Sequence, residues 1–193
     1  MTYSYYFNCS KSTKPIADAI YATKSLGTCA RLLELAGLQD MLRGESGFTL
    51  FAPVDEAFRE LPSGTLESLE SSPRELADML AYHVLAIRRE LGELHNGKLR
   101  TLQGTMLTAS VTDDGMNLDH ASTCGQSVRC TNGVIHPIDR VLMPGFTPGV
   151  STQAQALSAW SGRTAVARIS KAQSGDEWPF VEPPRSAEDS AAD

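Results

Sequence analysis

The first part of the chain spaces its apolar residues as amphipathic helices do. Pro15 fits the first turn of a helix that ends near Gly27, and Thr28 is the predicted N-cap of a second helix. The apolar face of the first helix holds Ile16, Ala19 and Ile20, and that of the second holds Leu32, Leu33, Leu35, Ala36 and Leu38. Each helix is therefore predicted to have one buried face.

A strand and two further helices are predicted between residues 48 and 84. Residues 48–51 form a short apolar run that stops at Pro53, as a strand would. The short helix after this run has its apolar positions at Val54, Ala57, Phe58 and Leu61. Ser72 is placed as the N-cap of the next helix, with Pro73 at the first position and Glu75 close to a capping box. The apolar face of that helix comprises Leu76, Met79, Leu80, His83 and Val84.

From Lys98 onward the apolar residues alternate with polar ones, which indicates strands. Asp113-Asp114-Gly115 predicts a hairpin because glycine supplies the positive φ of a tight turn, and Asn132-Gly133 predicts another. The apolar positions of these strands are Leu99, Leu102, Met106, Leu107, Ala109, Val111, Met116, Leu118, Val128, Val134, Ile135, Ile138, Val141 and Leu142. A helical half followed by a meander of strands is typical of the α+β class.

Length and composition are those of one packed domain with additional segments. The chain has 193 residues, of which 41% are hydrophobic, and no apolar run is long enough to span a bilayer, so no membrane insertion is predicted. The formal net charge is −6, and no basic stripe with interleaved aromatic residues is present, so nucleic-acid binding is not expected. The first ten residues lack the features of a signal peptide, which predicts a cytoplasmic protein if this start is the native one.

The four cysteines permit three pairings, and their positions favour two local pairs. The predicted disulfides are Cys9–Cys29 and Cys124–Cys130, and the alternative is unpaired thiols in a reducing compartment. No Cys-x-x-Cys motif is present and His120 is isolated from the cysteines, so neither a metal site nor a cofactor is predicted.

Three segments together resemble the fasciclin-type domain family. Thr49-Leu-Phe-Ala-Pro-Val-Asp-Glu-Ala-Phe58 resembles the first signature of the family and Asn132-Gly-Val-Ile-His-Pro-Ile-Asp-Arg-Val-Leu142 resembles the second. Tyr82-His83 lies at the position of the family's Tyr-His pair, and the order and spacing agree over residues 13–144. The resemblance implies a single α+β domain with a wedge of strands packed against a layer of short helices. Its two signatures would form neighbouring central strands.

The resemblance divides the chain into three parts. Residues 1–12 would form an N-terminal arm, residues 13–144 the fasciclin-like domain, and residues 145–193 a C-terminal extension that is partly ordered or disordered. Within the domain, structural roles are expected for Phe51, Pro53, Asp55, Gly133, His136 and Asp139. Asp55 would cap the helix that follows it, Gly133 would let the chain enter the second strand, and His136 would pair with Asp139. His83 would bind a backbone carbonyl.

Pro137 stands where the family has an ordinary strand residue. Because proline cannot donate a hydrogen bond to a neighbouring strand, the second signature is predicted to lie at a sheet edge or to bulge at this position.

The function implied by the resemblance is adhesion or partner binding by a non-catalytic module in an extracellular or periplasmic location. The partner would be a protein or a glycan that docks on an exposed face. In some members of the family the Tyr-His segment with its aliphatic neighbours is adhesive, which makes Leu80, Tyr82, His83, Val84 and Ile87 the candidate binding residues; the alternative is that they are core. Ser127-Val128 replaces an Asp-Ile pair that some adhesive members use.

The competing hypothesis is an intracellular small-molecule-binding protein or a cyclase-type enzyme. A small apolar molecule would then occupy a pocket between helices and sheet, covered by the C-terminal extension with Trp160, Trp178 and Phe180. No catalytic motif is recognisable, so the catalytic candidates would be only the polar groups Tyr82, His83, His120 and His136. A third possibility is a homo-oligomer in which the extension docks on a neighbouring chain.

Overall fold

The computed structural model of the protein describes residues 9–112 and 115–144. These residues form a single α+β domain, as the sequence predicts. The helices are α1 Ile16–Ala19, α2 Gly27–Leu35, α3 Gln39–Arg43, α4 Asp55–Arg59, α5 Thr65–Ser71 and α6 Pro73–Tyr82. The strands are β1 Cys9–Lys11, β2 Phe48–Pro53, β3 Val84–Leu85, β4 Gly97–Arg100, β5 Met106–Thr112, β6 Gly115–Leu118, β7 Ala121–Ser122, β8 Ser127–Cys130 and β9 Gly133–Ile138. The predicted C-terminal extension, including Trp160, Trp178 and Phe180, lies outside the described residues.

The first predicted helix is broken into pieces. After α1 the chain makes two 3-10 turns, Ile20–Ala22 and Lys24–Leu26, separated by an extended residue at Thr23. Because Thr23 has φ −97° and ψ 108°, the helical hydrogen-bond series stops there. The short pieces still bury their apolar side chains, so the periodicity identified the core residues although it overestimated the length of the helix.

The two signature segments form the centre of the larger sheet. The strand order is β1-β8-β9-β2-β3, and β2 pairs with β9 in parallel along all six residues of each strand, from Phe48 opposite Gly133 to Pro53 opposite Ile138. Every residue of both strands is buried. The expectation of neighbouring central strands is therefore confirmed, and burial on both faces is what a parallel pair requires.

The faces of β2 line two different cores. Phe48, Leu50 and Ala52 belong to the core cluster that contains the buried residues of the helices, whereas Phe51 belongs to a second cluster beneath the other sheet. This division follows from the two-residue period of a strand, which sends alternate side chains to opposite faces. The larger sheet is thus covered by helices on one side and by the second sheet on the other.

The prediction that Pro137 places β9 at a sheet edge is wrong. The strand β9 lies between β8 and β2. The ladder between β8 and β9 extends only from Gly133 to Ile135, so β8 has already diverged where the proline stands. The carbonyl of Pro137 accepts a hydrogen bond from the N–H of Cys124 on that same side. The ring nitrogen of Pro137 therefore faces the side that β8 has left, where no strand carbonyl requires a backbone N–H donor. A central strand can accommodate proline at such a position.

The second sheet is an antiparallel meander of order β4-β5-β6-β7. Thr112 pairs with Gly115 at the end of the β5–β6 ladder, which confirms the hairpin predicted at Asp113-Asp114-Gly115. Cys130 likewise pairs with Gly133 across the predicted Asn132-Gly133 turn. The inward residues of this sheet form the second core cluster with Phe51 and Tyr82; among them are Leu107, Ala109, Met116 and Leu118.

Asn132 and Gly133 join the helical layer to the start of β9. The side-chain oxygen of Asn132 accepts a hydrogen bond from the N–H of Ile16 at 2.9 Å. Its Nδ2 donates to the carbonyls of Leu42 and Gly44, each at 2.7 Å. Gly133 lies so close to Phe48 that an added Cβ would fall 2.1 Å from the Phe48 carbonyl oxygen. One buried amide therefore satisfies three backbone groups from two separate segments.

Asp55 caps a different helix from the predicted one. It occupies the first position of α4, whose N-cap is Val54, and makes no capping bond to that helix. Instead, Oδ1 of Asp55 accepts a hydrogen bond of 2.7 Å from the N–H of Thr28 in the first turn of α2. Thr28 is likewise not an N-cap, because α2 already begins at Gly27. The first turn of α2 thus receives its hydrogen-bond acceptor from Asp55, a residue distant in sequence, and not from its own N-cap residue.

Candidate functional site

The Tyr82-His83 pair lies at the end of α6, where the two core clusters meet. Leu80, Tyr82, His83 and Val84 are buried, and of the five predicted binding residues only Ile87 is exposed, with 47% of its surface accessible. In this conformation the four buried side chains cannot contact a partner. Their contacts show instead how the Tyr-His pair holds the domain together.

Tyr82 connects α6 to the second sheet. Its hydroxyl donates to Oδ2 of Asp119 at 2.6 Å and lies 3.3 Å from the carbonyl oxygen of Met106. Asp119 has φ +51° in the turn after β6, and its Oδ1 accepts a hydrogen bond from the N–H of Thr108. Burial raises the pKa of Tyr82, and the Asp119 carboxylate raises it further. The phenol is therefore a protonated structural donor.

Replacing Tyr82 with phenylalanine is expected to lower the free energy of unfolding by about 1–3 kcal/mol, because a buried hydroxyl bonded to a carboxylate is lost. Urea denaturation would measure this loss. Tyr21→Phe is the matched control, since the Tyr21 hydroxyl also bonds a carboxylate, that of Glu34, but at an exposed position. Equal unfolding midpoints for the two variants would contradict the structural role of the Tyr82 hydroxyl.

Both ring nitrogens of His83 are hydrogen-bonded to backbone groups. Nδ1 lies 2.9 Å from the carbonyl oxygen of Met79, which confirms the expected carbonyl partner. Nε2 accepts a hydrogen bond from the N–H of Leu142, also at 2.9 Å. Because Nε2 is the acceptor, the ring is neutral and carries its proton on Nδ1. Burial lowers the pKa of His83 to about 4, which agrees with this arrangement.

Both ring nitrogens of His136 also have hydrogen-bond partners. The predicted pairing of His136 with Asp139 is wrong. Nδ1 of His136 lies 2.8 Å from the hydroxyl of Ser127, and Nε2 lies 2.9 Å from the carbonyl oxygen of Arg89. Asp139 instead accepts a hydrogen bond from the N–H of Ser122. Burial lowers the pKa of His136. Neither His83 nor His136 therefore has a nitrogen available for acid–base chemistry in this conformation.

Residues 86–89, here called the Ile87 loop, are exposed and firmly anchored. The buried hydroxyl of Thr49 donates to the carbonyl of Ile87 at 2.7 Å and accepts from the N–H of Arg89 at 2.9 Å. Nε2 of His136 contacts the Arg89 carbonyl, so the loop is hydrogen-bonded to both central strands, to β2 through Thr49 and to β9 through His136. Arg88 and Arg89 follow Ile87 in the chain, and Arg88 pairs with Glu90. The loop thus presents an exposed aliphatic side chain, followed by two arginines, on an anchored backbone.

The described thiols do not form the predicted disulfides. Cys29 and Cys124 are free, so neither the Cys9–Cys29 nor the Cys124–Cys130 bond is present. Cys29 is buried on the inward side of α2, and burial raises the pKa of its thiol to about 12. A thiol in such surroundings is an apolar packing group and has little reactivity.

A cleft of about 500 Å³ opens among α2, α4 and α5. Charged residues Arg31, Asp55, Arg59 and Glu67 line it above an apolar floor of Phe58, Leu61 and Leu66. The formal charges cancel, and each arginine already pairs with a carboxylate, Arg31 with Glu70 and Arg59 with Glu56. The cleft therefore favours no ligand class. It lies among helices, whereas the small-molecule hypothesis places its pocket between helices and sheet.

Two kinds of feature are absent from residues 9–112 and 115–144. No group of three or more His, Cys, Asp or Glu side chains in this part could hold a metal ion. None of its helices is long and apolar enough to cross a bilayer.

Three residues have roles that the sequence analysis did not predict. Thr49 and Asn132 lie within the two signature segments, and Asn132 was expected only as part of a tight turn. Asp119 follows the strand that ends at Leu118, and an aspartate at such a strand end is a common signal of a turn with positive φ. Each of the three bonds groups that are distant in the sequence.

Known proteins are similar to this chain in sequence. The Fasciclin domain family matches residues 24–144. "Protein sll1483" of Synechocystis sp. is 33% identical over 135 residues, which cover 69% of this chain and 75% of that protein. The cell surface glycolipoprotein MPB83 of Mycobacterium bovis is 35% identical over 135 residues, 67% of this chain and 60% of that protein.

A solved structure confirms the fold. The FAS1 domain pair from the insect cell adhesion molecule fasciclin I superposes with a TM-score of 0.57 and 16% identity, covering 67% of this chain and 51% of that one. The family match, the relatives and the paired central strands agree with the resemblance found in the sequence. This chain belongs to the Fasciclin domain family.

Proposed function

We propose that this domain is a non-catalytic docking module that holds a protein partner through the Ile87 loop. The observation that carries the proposal is the anchoring of an exposed apolar residue by Thr49, whose hydroxyl bonds the carbonyl of Ile87 and the N–H of Arg89. A loop held in this way loses little conformational entropy when a partner binds, and pre-organisation of this kind favours affinity.

The chemistry of the loop indicates the chemistry of its partner. Ile87 is an exposed aliphatic side chain, and Arg88 and Arg89 follow it directly in the chain. A complementary surface would present an apolar recess with carboxylates at its rim. MPB83 is described as a cell surface protein, which supports a partner at or outside the cell envelope. The adhesive role of the Tyr-His segment would then be indirect, because that segment fixes the neighbouring loop from inside.

Replacing Ile87 with aspartate is expected to lower binding at least tenfold, since a charge would enter the apolar recess and face carboxylates. The measurement is saturable binding of the fluorescently labelled full chain to intact cells of its own organism. Leu35→Asp is the control, because Leu35 is exposed to a similar extent, 43%, and lies on α2 outside the loop.

Two results would count against the proposal in different ways. Unchanged binding of the Ile87→Asp variant would show that docking uses another face. Absence of saturable binding by the unaltered chain would show that the domain does not dock on such cells at all. Circular dichroism of both variants would verify that the fold is intact.

A further inference from the structure

The peptide group between Val141 and Leu142 is hydrogen-bonded to the imidazoles of two histidines. His83 Nε2 accepts the hydrogen bond of the Leu142 N–H at 2.9 Å, and His120 Nε2 lies 3.0 Å from the Val141 carbonyl oxygen. One histidine therefore bonds the donor of this peptide and the other bonds its acceptor. Residues 141–143 are all buried, and the described part of the domain ends directly after them at Pro144.

The two histidines respond differently to a proton. Nδ1 of His83 is already occupied by the Met79 carbonyl, so a proton can be added only at Nε2. That proton would point at the N–H of Leu142, and an attractive contact would become a repulsive one. His120 donates from Nε2 in its neutral and in its charged form, because both forms can carry a hydrogen there. Of the two histidines, only His83 loses its hydrogen bond to this peptide group when it is protonated.

The charged groups around this pair come from three elements. His83 is at the end of α6, where its neighbours are the Met79 carbonyl and the ring of His120. His120 faces Asp119 from its own turn, and Asp139 and Arg140 from the segment that follows β9. The two carboxylates favour a charged His120, whereas Arg140 opposes it. A positive charge on His120 would in turn oppose protonation of His83.

We propose that His83 and His120 form an acid-sensitive latch, which holds residues 141–143 in the core at neutral pH and releases them when His83 is protonated. Release would expose Val141, Leu142 and Met143 and would free the point at which residues 145–193 are attached. The central sheet would remain intact, because its ladder between β2 and β9 ends at Ile138.

The direction of the pH dependence follows from the buried state of His83. Its pKa is about 4 when it is buried, against an ordinary value of 6.5. The released state therefore binds more protons between these values, and the latch is closed most firmly above pH 6.5. Each pH unit below 6.5 is expected to lower the ratio of closed to released protein by up to about tenfold, with no further loss below about pH 4.

Amide hydrogen exchange of the full chain between pH 7 and 4.5, corrected for intrinsic rates, would test the latch. The Leu142 amide is expected to lose about one order of magnitude of protection per pH unit once the pH is below 6.5. The amides of Leu50 and Ile135 in the central strands should keep their protection at pH values where Leu142 has lost most of its own.

A non-titrating variant supplies the control. His83→Gln is expected to make the exchange of Leu142 independent of pH in this range, whereas His120→Gln should leave the pH dependence in place. If His83→Gln does not fold, the exchange series of the unaltered chain is extended to lower pH. The protection of Leu142 must then stop falling near the pH at which NMR shows that His83 titrates. Constant protection of Leu142, or simultaneous loss at Leu142, Leu50 and Ile135, would overturn the latch; the second pattern is global acid unfolding.

Discussion

Replacing Gly133 with alanine is expected to leave the domain largely unfolded. The new Cβ would lie 2.1 Å from the carbonyl oxygen of Phe48 and 2.6 Å from Cδ1 of Ile16. The Phe48 carbonyl cannot retreat, because Phe48 is held in register with Gly133 and both residues are buried in the central sheet. The overlap can be relieved only by separating β2 from β9, at a cost of more than about 4 kcal/mol. Native domains are stable by only about 5–15 kcal/mol, so a loss of this size is comparable with the whole margin of the less stable ones.

Urea denaturation followed by circular dichroism would measure the effect of Gly133→Ala. Gly92→Ala is the matched control: Gly92 has no positive φ, and an added Cβ would meet nothing within 4 Å. The control is expected to keep the unfolding midpoint of the unaltered chain. A Gly133→Ala variant that unfolds at the midpoint of the control would show that the sheet can open locally at little cost.

Replacing Asn132 with aspartate is expected to cost about 3–5 kcal/mol of unfolding free energy at pH 7. Nδ2 of Asn132 donates to the carbonyls of Leu42 and Gly44, and a carboxylate oxygen at the same place would face both carbonyls without a hydrogen. The Ile16 N–H would still have its acceptor, but a buried charge against two carbonyl oxygens is strongly destabilising, although the shape of the side chain is hardly altered.

Comparison with Asn132→Ala separates repulsion from the simple loss of bonds. Alanine leaves the Ile16 N–H and two carbonyls without partners, but it places no charge among them. The aspartate variant should therefore unfold at lower urea than the alanine variant at pH 7. The difference between them should shrink at pH 4, because a protonated carboxyl can donate one hydrogen bond. An aspartate variant as stable as the unaltered chain would mean that Leu42 and Gly44 do not depend on this amide.

The sequence predicted the α+β class and most elements because their signals are local. The apolar periodicity of α2 and α6, the Asp113-Asp114-Gly115 hairpin and the two buried signature strands depend on residues close together in the chain. What failed was the choice of distant partners. Asp55 is suited to cap α4, but tertiary packing brings the first turn of α2 to it. His136 and Asp139 are close in sequence, yet the imidazole of His136 is hydrogen-bonded to the Ser127 hydroxyl and the Arg89 carbonyl.

The predicted binding segment around Tyr82-His83 differs in exposure from what a docking surface needs. Its apolar neighbours are the reason that four of the five candidate binding residues are buried. Nothing local to that segment indicates that Thr49, 38 residues before Ile87, holds the adjacent loop. Cys29 shows the same limitation, because an even number of cysteines carries no information on which thiols the fold brings together.

The parallel pairing of β2 with β9 also constrains how the chain can reach this fold. Each residue of β2 meets a partner 85 positions later, whereas the hairpins β5–β6 and β8–β9 close through short turns. Long-range pairing is entropically costly and slow, so the hairpins can form before the central ladder. During synthesis the apolar strand β2 leaves the ribosome well before β9 exists. Until β9 is made, β2 has no partner in its own sheet except the two residues of β3, and in that interval the chain would depend most on chaperones to prevent aggregation.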